Sequence, residues 1–253
     1  MSDKVKNWYD HLDNKLKRET KLDKHFKKHH ILPNSMICCI GGTGSGKTNA
    51  LVDWLSRKND AFYHIIIFTG STSDEPLYSM LKQKMPDIEL HNDISQLPEL
   101  KEFDDDTKDQ EKLIIFDDFI NLKKPEMKKI NEYLTGGRKF GFSCYVMGQN
   151  YVQIPKTITR NCHYFIIFRL NDNASINNIV RNHNIDGIDQ DDFKKMYIDA
   201  TSEPRNFFML DLKGKPPPNL RCNDFVINPP LSGVRFATIT VRKNVKENSS
   251  LRL

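Results

Sequence analysis

The eight residues Gly41-Gly42-Thr43-Gly44-Ser45-Gly46-Lys47-Thr48 constrain this chain more than any other feature. They fit G-x-x-x-x-G-K-[ST] at every fixed position, between an apolar stretch (35–40) and a stretch with helical spacing (47–57). Glycines let a backbone curl until successive N–H groups point into one concavity, and the start of a helix adds its partial positive charge there. Such a loop has to be mounted between a strand and a helix, so the chain is expected to build an α/β unit around it. Lys47 is placed to reach the β- and γ-phosphates of a nucleoside triphosphate, and the Thr48 hydroxyl to ligate Mg²⁺. The competing reading, a glycine-rich turn without a ligand, has to treat the flanking strand and helix as coincidence.

Beyond the loop, strand and helix patterns alternate. Residues 62–69 are β-branched and aromatic and read as a strand; a helix over 76–84 and a short strand near 88–91 follow. An acidic loop over 99–111, holding Asp104-Asp105-Asp106, precedes a strand over 113–116. A helix over 127–134, strands over 142–147 and 164–168, helical segments near 175–181 and 191–196, and a last core strand over 206–212 complete the pattern. Alternation of this kind predicts a mainly parallel sheet covered by helices on both faces, a three-layer α/β fold. Pro33 and the run Pro216-Pro217-Pro218 mark its ends. The chain therefore divides into a basic N-terminal segment (1–30), a phosphate-loop domain (31–212) and a basic tail (213–253), read as an arm or loosely packed. Within the first segment, Trp8, Leu12 and Leu16 have the i, i+4 spacing of a short amphipathic helix.

Composition narrows the class. A chain of 253 residues, 38% hydrophobic and 28% charged, reads as one large soluble domain with short appendages. No apolar run reaches the length of a membrane span, and the first residues lack a secretory core, so the expected place is inside a cell or in a particle assembled there. The five cysteines show no C-x-x-C spacing, which suggests neither a zinc site nor a disulfide frame; Cys38, Cys39 and Cys144 lie in apolar runs and are expected in the core. The net charge of +5 is uneven. Residues 1–35 carry a net +4, residues 213–253 a net +6, and the middle a net −5. Basic ends suit contact with a polyanion, or serve only as solvated tails.

A phosphate loop alone does not separate kinases, GTPases and ATP-driven motors. The second acidic motif does. Leu113-Ile114-Ile115-Phe116-Asp117-Asp118 is an apolar strand ending in two carboxylates. Asp117 is read as a Mg²⁺ ligand acting through water, and Asp118 as the general base that polarises the attacking water. The strand directly after the loop's helix ends in Thr-Gly-Ser with no carboxylate, so at least one strand is expected between the phosphate-loop strand and the acidic one. Gln149 follows the strand over 142–147, where a side-chain amide can sense the γ-phosphate and orient water. No Asn-Lys-x-Asp guanine motif is present.

In this order the motifs resemble those of the FtsK–HerA superfamily, and within it the poxvirus-type genome-packaging ATPases of large DNA viruses and virophages. The resemblance covers about residues 31–212 and includes Gly137-Arg138-Lys139-Phe140-Gly141-Phe142-Ser143 ahead of the strand that leads to Gln149. Lys139 stands where the family often has His, and Asp118 where many superfamily members have Glu. The resemblance implies a RecA-like or FtsK–HerA-like fold, ATP and Mg²⁺ as ligands, and a homo-oligomeric ring, a hexamer, with double-stranded DNA threaded through it. It also implies an arginine reaching the neighbour's nucleotide, for which Arg138 and Arg160 are the candidates; each could equally make a surface ion pair. A capsid vertex protein as partner, and host cytoplasm at viral assembly sites or the virion as location, follow from the same likeness. The alternatives are a related ring helicase or DNA-segregation motor, and a nucleotide-gated assembly protein that does not hydrolyse ATP.

Overall fold

Short runs such as Met-Ile-Cys-Cys-Ile and Tyr-Phe-Ile-Ile-Phe, apolar at every position, suit strands buried on both faces. The computed structural model describes residues 6–13, 22–58, 61–70, 75–118, 122–183, 188–213 and 219–222. In them eight strands form one sheet: β1 (Met36–Ile40), β2 (His64–Thr69), β3 (Glu89–His91), β4 (Lys112–Asp117), β5 (Phe142–Gly148), β6 (Tyr164–Phe168), β7 (Phe207–Asp211) and β8 (Asn219–Cys222). Their order is β3-β2-β4-β5-β1-β6-β7-β8. The first six of that order run parallel, while β7 is antiparallel to β6 and β8 to β7. The strand expected between the phosphate-loop strand and the acidic strand is β5, which pairs with β1 on one side and β4 on the other.

Six α-helices cover the sheet among the described residues: α1 (Lys47–Lys58), α2 (Pro76–Lys84), α3 (Lys124–Gly136), α4 (Lys156–Asn161), α5 (Asn173–Asn182) and α6 (Gln190–Ala200). Because side chains alternate along a strand, each strand feeds two cores. Ile37 and Cys39 join Leu51, Trp54, Tyr78 and Leu81 of α1 and α2 on one face. Met36, Cys38 and Ile40 join residues of α3, α4, α5 and α6 on the other. Trp54 stacks on Tyr145 with ring centroids 5.6 Å apart, fixing α1 against β5. Cys38, Cys39, Cys144 and Cys162 are buried and free, as small hydrophobes in these cores.

Three details differ from the sequence reading. The sheet continues past residue 212 through β8, which lies in what reads from sequence as a loosely packed tail; the three prolines before it lie outside the described residues. The expected amphipathic helix is a single 3₁₀ turn, Trp8–His11, capped by the Asn7 side chain and ended by extended backbone at Leu12, and Leu16 lies outside the described residues. The segment before Pro33 is also tied to the domain. Lys58, 1% exposed at the end of α1, reaches Glu111 Oε1 at 2.5 Å and Asp23 Oδ2 at 3.7 Å, and His29 bonds Asp23 at 3.0 Å. A buried ammonium needs such partners, so this cluster sets where the N-terminal segment meets the domain.

Gly141 shows why one glycine of the 137–143 stretch stands where it does. Its φ is +82°, and a Cβ there would sit 2.2 Å from the Gln110 carbonyl oxygen. Only glycine fits a left-handed turn pressed so closely against a neighbouring backbone.

Candidate active site

In a parallel sheet the ligand-binding crevice opens at the carboxyl ends of the strands, where neighbouring connections diverge. β1 occupies such a point, because its chain crosses to β2 on one side while β6 flanks it on the other. The phosphate loop springs from the end of β1: the Gly41 N–H donates to the Gly148 carbonyl at 3.1 Å, and the Ser45 N–H to Gly42 at 3.1 Å. Gly46, at φ +107°, turns the chain into α1.

The loop has the character of an anion cradle. Lys47 Nζ donates to the carbonyls of Gly41 at 2.7 Å and Gly42 at 3.1 Å, folding the ammonium back over the loop. The Ser45 hydroxyl is buried with no hydrogen-bond partner, and the backbone N–H groups of Gly44, Gly46 and Lys47 have no backbone acceptor among the described residues. Unused donors around one ammonium at a helix start fit a polyphosphate.

The acidic pair lies across β5 from the loop. Asp117 ends β4, pairing with Thr69 of β2 and Met147 of β5. Its Oδ2 accepts the Tyr78 hydroxyl at 2.8 Å. Burial raises the Asp117 pKa, and the Tyr78 bond and the nearby Lys47 charge pull it back. Tyr78 is 2% exposed, and burial beside Asp117 pushes its phenol far above the usual range. Asp118, exposed, takes a left-handed φ of +51°, and its charge acts with burial to raise the Asp117 pKa. Asp is one of the few side chains that adopt this conformation at modest cost. Thr48 and Asp117 are the oxygen donors that would hold Mg²⁺ beside a bound phosphate, an ion that takes few protein ligands and keeps several waters.

Gln149 follows directly on β5, so it stands at the same sheet edge between the phosphate loop and the acidic pair, exposed. Asn150 folds the next turn by accepting the Gln153 N–H at 2.9 Å. The structure thus gathers Gly41 to Thr48, Asp117, Asp118 and Gln149 at one edge. It does not bring Arg138 or Arg160 there. Arg138 lies in the 3₁₀ turn Gly137–Phe140 that precedes β5, and Arg160 in α4, which precedes β6; both are exposed at the strand-start edge. The length of β5 puts that edge roughly 20 Å from the loop, so neither arginine reaches the nucleotide site of its own subunit. A cleft of about 210 Å³ lies there, lined by Asn34, Arg138, Asn161 and His163 among others. Tyr78 was not singled out from sequence, since a tyrosine on a helix at core spacing carries no mark of a partner 39 residues away.

A family model described as Poxvirus A32 protein matches residues 23–210. The chain belongs to the Poxvirus A32 protein family. Solved structures similar to this A32-family chain include the genome packaging NTPase B204 from Sulfolobus turreted icosahedral virus 2 in complex with AMPPCP, at TM-score 0.52 and 13% identity over 76% of this chain and 98% of that one. The same protein with ATP-gammaS gives TM-score 0.51 and 14% identity over 78% and 100%. The DNA-packaging ATPase B204 from Sulfolobus Turreted Icosahedral Virus gives 0.51 and 14% over 75% and 97%. At such identities the likeness bears on the fold, which is that of a P-loop ATPase. No curated protein matches the sequence. Among the described residues no helix is long and apolar enough to cross a membrane.

Proposed function

We propose that this chain is an ATP-hydrolysing motor that moves double-stranded DNA into a viral capsid, working as a homo-oligomeric ring. The observation that carries the reading is the position of Gln149 directly after β5, the strand that lies between the phosphate-loop strand and the strand ending in Asp117. In the proposed reading Gln149 is the γ-phosphate sensor, between the groups that bind the nucleotide and those that act on water. Membership of the A32 family and the packaging role named for the B204 structures support the viral setting. The basic ends of the sequence suit sequence-independent contact with DNA phosphates.

In this reading the loop N–H groups and Lys47 bind the polyphosphate, and Lys47 leaves its two carbonyls to do so. Bound Mg²⁺ would supply charge neutralisation at the β- and γ-phosphates, held by Thr48 and Asp117. Asp118 accepts the proton of the attacking water and Gln149 orients that water. Arg138 or Arg160, facing away from its own site, stabilises the charge that develops on the neighbour's phosphate. A capsid vertex protein would seat the ring, at viral assembly sites in the host cytoplasm or on the virion.

Steady-state ATP turnover with and without linear duplex DNA tests the reading. Duplex should raise turnover several-fold at low salt, with the stimulation fading as salt rises. Asp118→Asn should lower turnover by about 10²–10⁴-fold while nucleotide still binds. Turnover indifferent to DNA at every salt concentration would count against a translocase, and full turnover in Asp118→Asn against the assigned base.

Tyr78→Phe is a finer probe. The ring stays buried, but Asp117 loses its donor, worth roughly 1 kcal/mol. The Mg²⁺ concentration giving half-maximal turnover should rise about fivefold, since each 1.4 kcal/mol is tenfold, with the melting temperature shifted by only a few degrees. An unchanged Mg²⁺ dependence would mean that the bond does not orient Asp117 for metal.

A further inference from the structure

The two antiparallel strands at the end of the sheet have a consequence for the nucleotide site. β7 runs against β6, with Phe207 opposite Phe168, so the start of β7 lies at the same edge as the phosphate loop. The turn from α6 into β7 is therefore delivered beside that loop. It is held there firmly. The Tyr197 hydroxyl near the end of α6 donates to the Phe168 carbonyl at 3.2 Å and accepts the Leu170 N–H at 2.7 Å, riveting α6 to the end of β6. The Thr201 hydroxyl bonds back to Tyr197 at 2.8 Å, and the Asn206 N–H closes the turn on Glu203 at 3.2 Å.

Arg205 sits in this turn, and three independent observations bear on it. Its stem lies against the phosphate loop: a Cβ built on Gly46 would be 3.4 Å from Arg205 Cβ and 3.5 Å from its Cγ. Its φ is +65°, a left-handed conformation that arginine, unlike Gly, Asn or Asp, seldom adopts. The residue is exposed, and its guanidinium has no ion pair or hydrogen bond among the described residues. An arginine held in a disfavoured backbone, with its stem packed on the loop and its charge unsatisfied, is positioned for a ligand rather than for the fold.

We propose that Arg205 is a nucleotide-binding residue supplied by the same subunit as the phosphate loop, its guanidinium contacting the phosphates of the bound nucleotide. The proposal rests on the reading of the loop as a nucleotide site. It adds a cation from the sheet's antiparallel end, on the flank opposite β5 and the acidic pair. Its role is distinct from that of Arg138 and Arg160, which lie at the far edge. A planar fork suits two phosphate oxygens at once, where an ammonium offers a single point charge.

The test is equilibrium binding of ADP and of inorganic tripolyphosphate to the full chain, by calorimetry, in wild type, Arg205→Asn, Arg205→Lys and Lys47→Ala. Asn is chosen because it accepts the left-handed backbone, so Arg205→Asn should melt at the wild-type temperature or above it. It should weaken both ligands about tenfold, as expected for loss of a charge-assisted contact, with Arg205→Lys between it and wild type. ADP binding within twofold of wild type in Arg205→Asn, with Lys47→Ala clearly weakened, would overturn this proposal and leave the nucleotide site intact. Loss of ADP binding with tripolyphosphate unaffected would place the guanidinium on the nucleoside and overturn the phosphate assignment. Wild-type binding in Lys47→Ala would instead remove the reading on which the proposal rests.

Discussion

Lys47→Ala should lower ATP turnover by about 10³-fold and leave the protein at least as stable as wild type. The first effect follows from what preorganised charge does at a transferring phosphate, where removing one donor costs about 10²–10³-fold. The second follows from where the residue sits. Lys47 begins α1, and a positive charge at a helix N-terminus opposes the helix dipole by about 0.3–1 kcal/mol. Among the described residues its ammonium bonds the carbonyls of Gly41 and Gly42, within its own loop. Lys47 is not among the buried residues of either core, and alanine favours the helix. A thermal melt and a turnover assay on the same preparation therefore separate function from fold. Turnover within threefold of wild type would sink the nucleotide reading, and a melting temperature lowered by many degrees would show that the lysine holds the loop together.

The same asymmetry explains how much could be read without coordinates. The phosphate loop and the acidic strand were legible because their chemistry requires fixed spacings on one element. The strands β1, β4 and β6 were legible because burial on both faces leaves short apolar runs, too short for an ordinary helix. Strand order could be read only in part. The absence of a carboxylate after residues 62–69 implied an intervening strand, but that β5 fills the place depends on which edges pair across more than a hundred residues. β8 was hidden because it follows three prolines in a basic, polar stretch, and four residues are too few for a period to register. The helix α4 was hidden for a similar reason, being six residues long. Tyr78 and Arg205 were out of reach altogether. Each matters through a contact made by tertiary structure, and neither the tyrosine on α2 nor the arginine in a turn differs in sequence from an ordinary one.

Acid should loosen the fold at the root of the phosphate-loop strand, and the cause lies in two histidines. His29 Nδ1 accepts the Ile31 N–H at 3.0 Å, and His163 Nδ1 accepts the Met36 N–H, the first of β1, at 3.0 Å. A ring nitrogen that accepts cannot carry a proton, so both rings are held neutral by bonds that protonation would break. Burial pushes both pKa values down to about 4; for His29 the pull of Asp23 is outweighed by burial with the Lys58 charge, and for His163 Lys213 and Arg138 act in the same sense as burial. A histidine with a folded pKa below its unfolded value near 6.5 binds its proton more tightly when unfolded. The stability it contributes is complete above pH 6.5 and is lost as the pH falls toward 4. For His29, fully buried, that amounts to about 2 kcal/mol by pH 5, and His163 adds to it in the same direction. Burial raises the carboxyl groups of Glu111 and Asp117, which bind protons more readily in the folded state and offset part of the loss. Urea unfolding at pH 7.5, 6 and 5 should therefore give a falling unfolding free energy. His29→Asn, which keeps an acceptor for the Ile31 N–H but cannot titrate, should start lower and fall less steeply. An unfolding free energy that is flat across this range in wild type, or a slope unchanged by His29→Asn, would mean that these two rings do not govern the acid response.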